Sequence, residues 1–344
     1  MQLTHSSQQA WALGAIGLGV YLAARAMHGR SSFDFEGKSV VITGGSRGLG
    51  LVLARQLAGE GARVTLIARD QDELDRSSGD LSAYNSSAEV LTVRADVRKR
   101  EDVERAIAQA VARFGTVDVV INNAGVIQVG PLDHMTLADY QEAMDAHFWG
   151  PLYMVLAALP HMRKQGGGRI VNISSVGGRI SVPHMVPYSA SKFALTGLSD
   201  GLRAELAREN IVVTTVCPGL MRTGSPVNAM FKGKRAQEYA WFAISDSLPL
   251  VSISAERAAR QILAASRRGD AELVITLSAK LAIVARTLLP ESFADAMTLT
   301  SNLLPGGTGP EGNVAQPGKE NESRWAPSTL TAPTYAAAQR NNEL

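Results

Sequence analysis

Between residues 33 and 276, seven short runs of apolar and β-branched residues alternate with longer amphipathic stretches. The runs span residues 39–43, 63–68, 90–93, 117–122, 169–174, 212–217 and 272–276. Most are continuously apolar, which is typical of strands buried on both faces of a parallel sheet. The intervening stretches suit crossover helices, and residues 101–114 repeat apolar side chains at nearly a helical period. The pattern predicts an α/β fold, with one doubly wound domain built on a seven-stranded parallel sheet.

The overall composition excludes several classes of protein. Hydrophobic residues make up 45% of the 344, which is ample for a sizeable core. The net charge of +2 is far from the basic surface of a nucleic-acid-binding protein, so we expect no nucleic-acid partner. Cys217 is the single cysteine, which excludes an intrachain disulfide framework and a cysteine-built zinc site. The histidines show no metal-ligand spacing, and no metal is predicted.

The first predicted strand leads directly into the sequence TGGSRGLG, residues 43–50, and then into a helical stretch. Glycines at this point let the chain turn tightly and let the backbone approach a pyrophosphate at the helix N-terminus. The strand–turn–helix context therefore predicts a dinucleotide-binding site. The candidate contacts in the turn are Gly44, Ser46, Arg47, Gly48, Leu49 and Gly50.

Further motifs follow in order, and together they resemble the short-chain dehydrogenase/reductase family. Residues 122–125 read Asn-Asn-Ala-Gly after the fourth strand, and Ser175 precedes Tyr188 by 13 residues. Tyr188 and Lys192 match Tyr-x-x-x-Lys, and residues 218–223 match Pro-Gly-x-x-x-Thr. The resemblance covers residues 33–276 and implies a Rossmann fold and an NAD(P)-dependent oxidoreductase. It also implies cofactor contacts at Asp96, Val97, Asn123, Ala124, Gly125, Tyr188, Lys192, Pro218, Gly219 and Thr223. For Asp96, whose expected role is an adenine contact, capping at a strand end is the alternative.

The tyrosine and the lysine are four residues apart, so on a helix they share one face. An unperturbed tyrosine has a pKa of about 10, and a nearby ammonium group lowers it toward the working range. The resemblance implies that Tyr188 moves the proton and that Lys192 also holds the nicotinamide ribose. It further implies that Ser175 donates a hydrogen bond to the substrate oxygen.

Charge favours NADP(H) over NAD(H). Arg47 lies in the glycine turn and Arg69 ends the second strand, and similar basic residues hold the 2′-phosphate in NADP-preferring members of the family. Ala68 occupies the position at which NAD-preferring members usually carry an acid. Asp70 could reach a ribose, but capping of the next helix is the favoured interpretation.

One position departs from the family pattern. Where the family has a fourth catalytic residue, an asparagine, this chain has His147. The asparagine usually fixes a water that joins the lysine to solvent. A neutral imidazole has one donor and one acceptor, so His147 could hold that water and make the proton path pH-sensitive. A packed helix histidine with no catalytic role is the alternative.

The segment 223–254 corresponds to the substrate lid of the family. Its composition suits a small lipophilic, partly amphiphilic carbonyl or alcohol, and packing of the lid on the core is the alternative. Its large apolar and basic residues are Met230, Phe231, Lys232, Lys234, Arg235, Tyr239, Trp241, Phe242 and Ile244. The predicted function is hydride transfer to or from such a substrate by a homo-oligomer. A catalytically idle NADP-binding scaffold or redox sensor is the alternative.

The two ends of the chain differ from the middle. Residues 1–30 include a wholly apolar or small run, 10–24, with Arg25 and Arg30 after it. The run is near the lower length limit for a spanning helix, and the charges after it predict a membrane anchor with the catalytic domain facing the cytoplasm. A signal peptide, whose charge should come first, and a surface or dimer helix on a soluble cytoplasmic protein are the alternatives.

The other end follows the predicted domain in two parts. Residues 277–304 are apolar at roughly helical spacing and predict a helical extension that lies on a membrane, binds a subunit or covers the sheet edge. Residues 305–344 contain five prolines and five glycines with few large apolar side chains. That composition predicts a mostly disordered tail.

Overall fold

The structure is a computed structural model that describes Gly19 together with residues 33–248 and 251–344. The strands are β1 (Ser39–Thr43), β2 (Arg63–Ala68), β3 (Val90–Arg94), β4 (Val119–Asn122), β5 (Gln128–Val129), β6 (Gly168–Ile173), β7 (Ile211–Pro218), β8 (Leu220–Arg222), β9 (Met230–Phe231), β10 (Ser252–Ser254), β11 (Glu272–Ile275) and β12 (Gln316–Pro317). The helices are α1 (Gly48–Gly59), α2 (Gln71–Tyr84), α3 (Arg100–Phe114), α4 (Leu137–Met144), α5 (Gly150–Lys164), α6 (Val186–Leu206), α7 (Ser225–Asn228), α8 (Arg235–Ser247), α9 (Ala255–Arg268), α10 (Leu277–Leu288), α11 (Pro290–Leu303) and α12 (Ala332–Arg340).

Seven strands form one parallel sheet in the order β11-β7-β6-β4-β1-β2-β3. Val40 of β1 pairs with Val64 of β2 on one side and with Val119 of β4 on the other. The chain therefore proceeds in opposite directions across the sheet from β1, and this reversal opens a crevice at the carboxyl ends of the strands. The predicted seven-stranded parallel Rossmann sheet is confirmed.

Helices cover both faces of this sheet, which explains why its strands are continuously apolar. On one face, α1 and α9 bury side chains such as Leu53 and Ile262 in a cluster with Ile42 of β1. On the other face, α3 and α5 bury side chains such as Ile107 and Met154. Full burial of one such side chain contributes roughly 1.5–3 kcal/mol. The two cores fix the sheet and hence the loops that leave its carboxyl edge.

The tail at residues 305–344, predicted to be mostly disordered, is ordered, so that prediction was wrong. Its strand β12 pairs antiparallel with β9, and β9 in turn pairs with β5. Helix α12 packs on α8, where the Tyr335 and Tyr239 hydroxyls are hydrogen-bonded and Thr334 Oγ1 lies 2.7 Å from Ser247 Oγ. The composition shows only that the tail has no core of its own. Ala326 is buried in the core beneath the lid and Tyr335 packs against it, whereas Trp325, Leu330 and Leu344 are more than half exposed.

The segment 277–304 forms the two helices α10 and α11. Several of their leucines face solvent, among them Leu277, Leu288 and Leu303, which are 71%, 71% and 78% exposed. Within residues 33–248 and 251–344, no helix combines the length and the apolar character needed to cross a membrane. The predicted anchor, residues 10–24, lies outside the described residues apart from Gly19, and it stays a prediction.

Candidate active site

A cavity of about 790 Å³ opens at the carboxyl ends of the central strands. All the predicted site residues except Gly50 line it. They are Gly44, Ser46, Arg47, Gly48, Leu49, Arg69, Asp96, Val97, Asn123, Ala124, Gly125, His147, Ser175, Tyr188, Lys192, Pro218, Gly219 and Thr223. Residues from eight separate stretches of the chain therefore meet in one crevice.

The glycine turn after β1 has the backbone shape that its sequence predicts. Gly44 and Gly48 have φ values of 62° and 55°, in the left-handed region that favours glycine. Gly50, predicted as a cofactor contact, does not line the cavity and instead lies against the Gly44 carbonyl group. A Cβ at Gly50 would lie 2.0 Å from the Gly44 carbonyl oxygen, so only glycine lets α1 begin this close to the turn.

The Asn-Asn-Ala-Gly motif after β4 is hydrogen-bonded to the start of the glycine turn. The backbone N–H groups of Asn123 and Ala124 both donate to Thr43 Oγ1 at 3.0 Å. The Asn123 side-chain amide donates to the carbonyl oxygens of Thr43 and Gly44, both at 3.1 Å. Gly125 makes room for His147, because a Cβ there would lie 2.7 Å from the imidazole Nε2. The motif therefore links the cofactor turn to the catalytic side of the cavity.

The basic residues predicted to select NADP lie at the adenosine end, together with an acid that the sequence analysis missed. Arg47 pairs with Glu73 at 2.9 Å and also donates to Asn228 Oδ1 at 3.0 Å. The Ser46 hydroxyl donates to the other Glu73 oxygen at 2.8 Å. Arg69 is exposed at the edge of the cavity. A 2′-phosphate would therefore compete with Glu73 for Arg47.

Two acidic residues near this end are engaged by their own loops. Asp70 caps α2, because its carboxylate accepts from the Glu73 N–H at 2.9 Å, as the favoured interpretation predicts. The Asp96 carboxylate pairs with Arg98 at 2.7 Å while it lines the cavity beside Val97. The pairing leaves an adenine contact by Asp96 as a prediction.

The Pro-Gly-x-x-x-Thr motif begins at the end of β7. The Gly219 N–H donates to the Ile275 carbonyl oxygen at 3.0 Å, and a Cβ at Gly219 would lie 2.5 Å from Thr276 Oγ1. Thr223 Oγ1 lies 2.7 Å from Ser225 Oγ. These contacts tie the start of the lid to β11, at the edge of the sheet.

The catalytic candidates approach one another across Gly177. A Cβ at Gly177 would lie 3.0 Å from Tyr188 Cε1 and 3.4 Å from Ser175 Oγ, so glycine leaves room for both groups. Lys192 follows Tyr188 by one turn of α6, and its Nζ lies 5.7 Å from the centre of the tyrosine ring. The same Nζ donates to the Ile173 carbonyl oxygen at 2.9 Å.

Burial controls the titration of this pair. It raises the pKa of Tyr188 to about 12, although a hydrogen bond with Ser175 opposes the shift. It lowers the pKa of Lys192 to about 7. The shift of the Tyr188 pKa is therefore opposite in direction to the one expected from Lys192. Desolvation disfavours the charged form of each group and is the largest cause of both shifts.

His147 lies on a π-helical turn, Asp145–Trp149, between α4 and α5. Its Nε2 accepts from the Val126 N–H at 3.1 Å, so the proton of the neutral ring is on Nδ1. Nδ1 lies 2.8 Å from Ser191 Oγ, and the Ser191 hydroxyl donates to the Tyr188 carbonyl oxygen at 2.8 Å. Both ring nitrogens are thus occupied, Nε2 by the loop after β4 and Nδ1 by Ser191 of α6, which favours a positioning role over the predicted water relay.

The pH sensitivity proposed for His147 also disagrees with its surroundings. Burial, together with the nearby Lys192 charge, holds the pKa of the imidazole well below its usual value. The ring therefore stays neutral through physiological pH.

Replacing His147 with alanine is expected to lower kcat roughly 10- to 100-fold through misplacement of Tyr188. The shape of the pH–rate profile between about 5.5 and 7.5 should not change, because the lost ring does not titrate there. The profile is measured for the variant, for the wild type and for a His161→Ala control on α5. A titration step in this range that disappears only in His147→Ala would restore the relay.

The lid contributes an apolar wall and one buried acid. Met230, Trp241 and Phe242 line the cavity, whereas Tyr239 and Phe231 do not and pack behind Phe242 in a cluster that includes Ala326 of the tail. The basic residues of the lid, predicted to favour a partly amphiphilic substrate, do not line the cavity. Lys232 pairs with buried Asp139 at 2.6 Å, and Arg235 donates to the Glu311 carbonyl oxygen at 2.8 Å.

Asp246 of α8 was missed by the sequence analysis, because a lone aspartate in a lid helix carries no signal. It is 5% exposed and lines the same cavity as Tyr188. Burial raises the pKa of its carboxyl to about 8, so the group is mostly neutral at neutral pH.

A second missed residue, Glu343, comes from the tail. Its Oε2 accepts from the Gly224 N–H at 2.6 Å, and a Cβ at Gly48 would lie 2.8 Å from its Oε1. A carboxylate therefore lies against the glycine turn at the start of α1, where helix N–H groups favour an anion. Burial raises the pKa of this carboxyl to about 7. The site thus has the chemistry that a diphosphate needs, and it already holds an acidic side chain of the chain itself.

The reversed parallel sheet, the glycine turn and the serine, tyrosine and lysine around one cavity define a Rossmann-fold oxidoreductase. Comparison with known proteins identifies the family within this class. The sequence profile of the family described as short chain dehydrogenase matches residues 38–231. The chain therefore belongs to the short-chain dehydrogenase/reductase family, whose members use NAD(P)(H) and act on alcohol and carbonyl groups.

Individual relatives agree with this assignment. The chain is 37% identical over 263 residues to SadH, named as an oxidoreductase, of Mycobacterium tuberculosis, an alignment that covers 76% of this chain and 94% of the relative. It is 36% identical over 243 residues to 11-beta-hydroxysteroid dehydrogenase A of Sesamum indicum, with 70% and 68% covered. The crystal structure of levodione reductase matches with a TM-score of 0.60 at 28% identity, over 70% of this chain and 96% of that one.

Proposed function

We propose that this chain transfers a hydride between NADP(H) and a lipophilic ketone, aldehyde or secondary alcohol, with Tyr188 as the general acid and base. The observation that supports this most directly is the approach of Ser175 and Tyr188 across Gly177, on the wall of the cavity that also holds the glycine turn. The bound cofactor supplies the hydride or accepts it. The protein then needs only to hold the substrate oxygen and to move one proton.

Tyr188 is protonated at neutral pH, which is the form that reduction of a carbonyl group requires. At a pKa of about 12 the phenol keeps its proton at neutral pH and can donate it to a carbonyl oxygen as negative charge develops there. Ser175 donates a second hydrogen bond to the same oxygen. An ammonium group has three donors, and Lys192 uses one on Ile173, so the others can hold ribose hydroxyls of the cofactor.

The walls of the cavity support a lipophilic substrate. Met230, Trp241 and Phe242 offer apolar surface next to Tyr188, while the lid cations Lys232 and Arg235 are engaged elsewhere. Two of the similar proteins are named for a hydroxysteroid and for levodione. A cyclic ketone or the corresponding alcohol is therefore the substrate class to test first.

The test is a turnover screen of the purified full-length chain with NADPH against keto-steroids, retinaldehyde, long-chain aldehydes and oxoacyl thioesters. We expect NADPH oxidation with at least one lipophilic carbonyl compound and none with small hydrophilic ketones such as acetone. Cofactor binding without turnover of any member of the panel would favour the idle scaffold instead.

Replacing Asp246 with asparagine is expected to remove an alkaline loss of carbonyl reduction. In the wild type, the Asp246 carboxyl ionises as the pH rises through about 8, and its charge raises the pKa of Tyr188 further. The reduction rate should then fall roughly 10-fold between about pH 7 and 9, because the tyrosine becomes a weaker acid. In Asp246→Asn, and not in an Asp295→Asn control on the exposed face of α11, the rate should stay level. An unchanged alkaline fall in Asp246→Asn would assign it to another group.

Two further proposals concern location and assembly. Residues 10–24 are proposed as a membrane anchor with the catalytic domain in the cytoplasm, and a soluble protein is the alternative. Assembly as a homo-oligomer is proposed as well, and the exposed leucines of α10 and α11 offer one surface for it.

A further inference from the structure

The last residues of the described chain lie across the phosphate end of the cofactor cleft. We refer to residues 341–344 as the terminal segment. The Gly48 N–H, the first amide of α1, donates to the Asn341 carbonyl oxygen at 2.9 Å. Glu343 accepts from the Gly224 N–H at 2.6 Å and is 9% exposed. Two backbone donors on opposite sides of the cleft are therefore both used by this segment.

The segment is held by specific hydrogen bonds rather than by apolar burial. The Asn342 side-chain amide donates to the Ser46 carbonyl oxygen at 2.9 Å and to the Glu73 carbonyl oxygen at 3.1 Å. Arg76 donates to Asn342 Oδ1 at 2.7 Å. Each of these groups belongs to the glycine turn or to α2.

A second group of contacts completes the attachment. Arg55 of α1 donates to Asn341 Oδ1 at 2.7 Å, and the Asn228 amide donates to the Glu343 carbonyl oxygen at 3.0 Å. Asn228 also accepts from Arg47. The segment thus connects the glycine turn to the start of the lid, and it does so through side chains that surround the phosphate position.

A diphosphate at the N-terminus of α1 would need the space that Glu343 fills and the amide that Asn341 uses. An ionised Glu343 and a phosphate next to each other would also repel, since like charges inside a partly dehydrated cleft are weakly screened. We propose that the terminal segment is an intramolecular competitor of the dinucleotide, which binds only after the segment has left the cleft. The proposal rests on the proposed use of NADP(H).

Competition of this kind reduces the apparent affinity for the cofactor by the fraction of molecules in which the segment is released. The segment makes several hydrogen bonds but buries little apolar surface, so its attachment is of moderate strength. If about one molecule in ten is open, the loss of the segment lowers the Kd for the cofactor about 10-fold.

The test is a fluorescence titration of the full-length chain with NADPH and, separately, with NADH. The variant is Glu343→Ala, and the matched control is Glu320→Ala, which removes the same charge from an exposed position of the tail. A chain that ends at Arg340 gives a second form without the competitor. We expect both Glu343→Ala and the shortened chain to bind each dinucleotide about 10-fold more tightly, and Glu320→Ala to bind as the wild type does.

Hydrogen exchange on the wild-type chain gives an independent readout. Amides of the terminal segment and of α12 should exchange faster when NADPH is added, because the cofactor expels them. Slower exchange, or equal Kd values for the wild type and Glu343→Ala, would overturn the proposal and leave the proposed function intact. Failure of both dinucleotides to bind any form would overturn the cofactor assignment and the competitor together.

Discussion

Replacing Tyr188 with phenylalanine should lower the turnover of a lipophilic carbonyl compound by about 100-fold or more, the scale of general-acid catalysis. The change removes the phenolic proton and keeps the ring that packs edge-on against His147, with ring centres 5.4 Å apart. The fold and the cofactor cleft should therefore be preserved. Steady-state kinetics measure the loss, and titration should show NADPH affinity within a few-fold of the wild type.

A matched control is Tyr84→Phe on α2, whose ring is 59% exposed and far from the cavity lining. It should leave turnover unchanged. Near-normal turnover in Tyr188→Phe would show that the proton comes from another group. Asp246 would be the first to test, because burial keeps its carboxyl mostly protonated at neutral pH.

NADPH should bind at least about 100-fold more tightly than NADH. A 2′-phosphate between Arg47 and Arg69 gains charge-assisted hydrogen bonds of roughly 1.5–3 kcal/mol each. Arg47 has to leave its ion pair with Glu73 before it can bind the phosphate, so its net contribution to NADPH affinity is smaller. Arg69 is exposed at the cavity edge and should contribute more of the selectivity. Separate titrations with the two dinucleotides measure the ratio of their Kd values.

The variant Arg69→Ala should weaken NADPH binding roughly 10-fold or more and NADH binding little. Arg113→Ala, an exposed arginine at the end of α3, removes the same charge away from the cavity and serves as the control. Equal dissociation constants for NADPH and NADH in the wild type would contradict the preference, even with the rest of the site intact.

The fold could be predicted from the sequence because its strands and its glycine turn are local patterns. Continuous apolar runs mark strands buried on both faces, and the glycines of residues 43–50 have a steric reason to be there. The two- and three-residue strands, such as β9 and β12, were not predictable. They are too short to show a period and form only where distant segments pair, as β12 of the tail does with β9 of the lid.

Predictions from the sequence fail where residues far apart in the sequence contact one another. Asn342 contacts Ser46 across 296 residues of sequence, and no local pattern indicates such a contact. The composition of the tail indicates disorder only because it does not reveal that the tail pairs and packs with the lid. The motif predicts a lowered pKa for Tyr188 from the charge of Lys192, whereas burial by residues distant in sequence raises it. The role of His147 likewise depends on its hydrogen bonds with Val126 and Ser191, which are 21 and 44 residues away in the sequence.

The separation between Ser46 and Asn342 also has a consequence during protein synthesis. A ribosome adds about 5–20 residues per second, so roughly 15–60 s pass between the translation of the glycine turn and that of its competitor. The last strand of the large sheet, β11, ends at Ile275, well before the terminal segment emerges. A nascent chain can therefore complete its sheet and meet a dinucleotide while the phosphate position is still open. The mature chain has to release the segment first, so newly made and finished molecules should differ in how fast they acquire the cofactor.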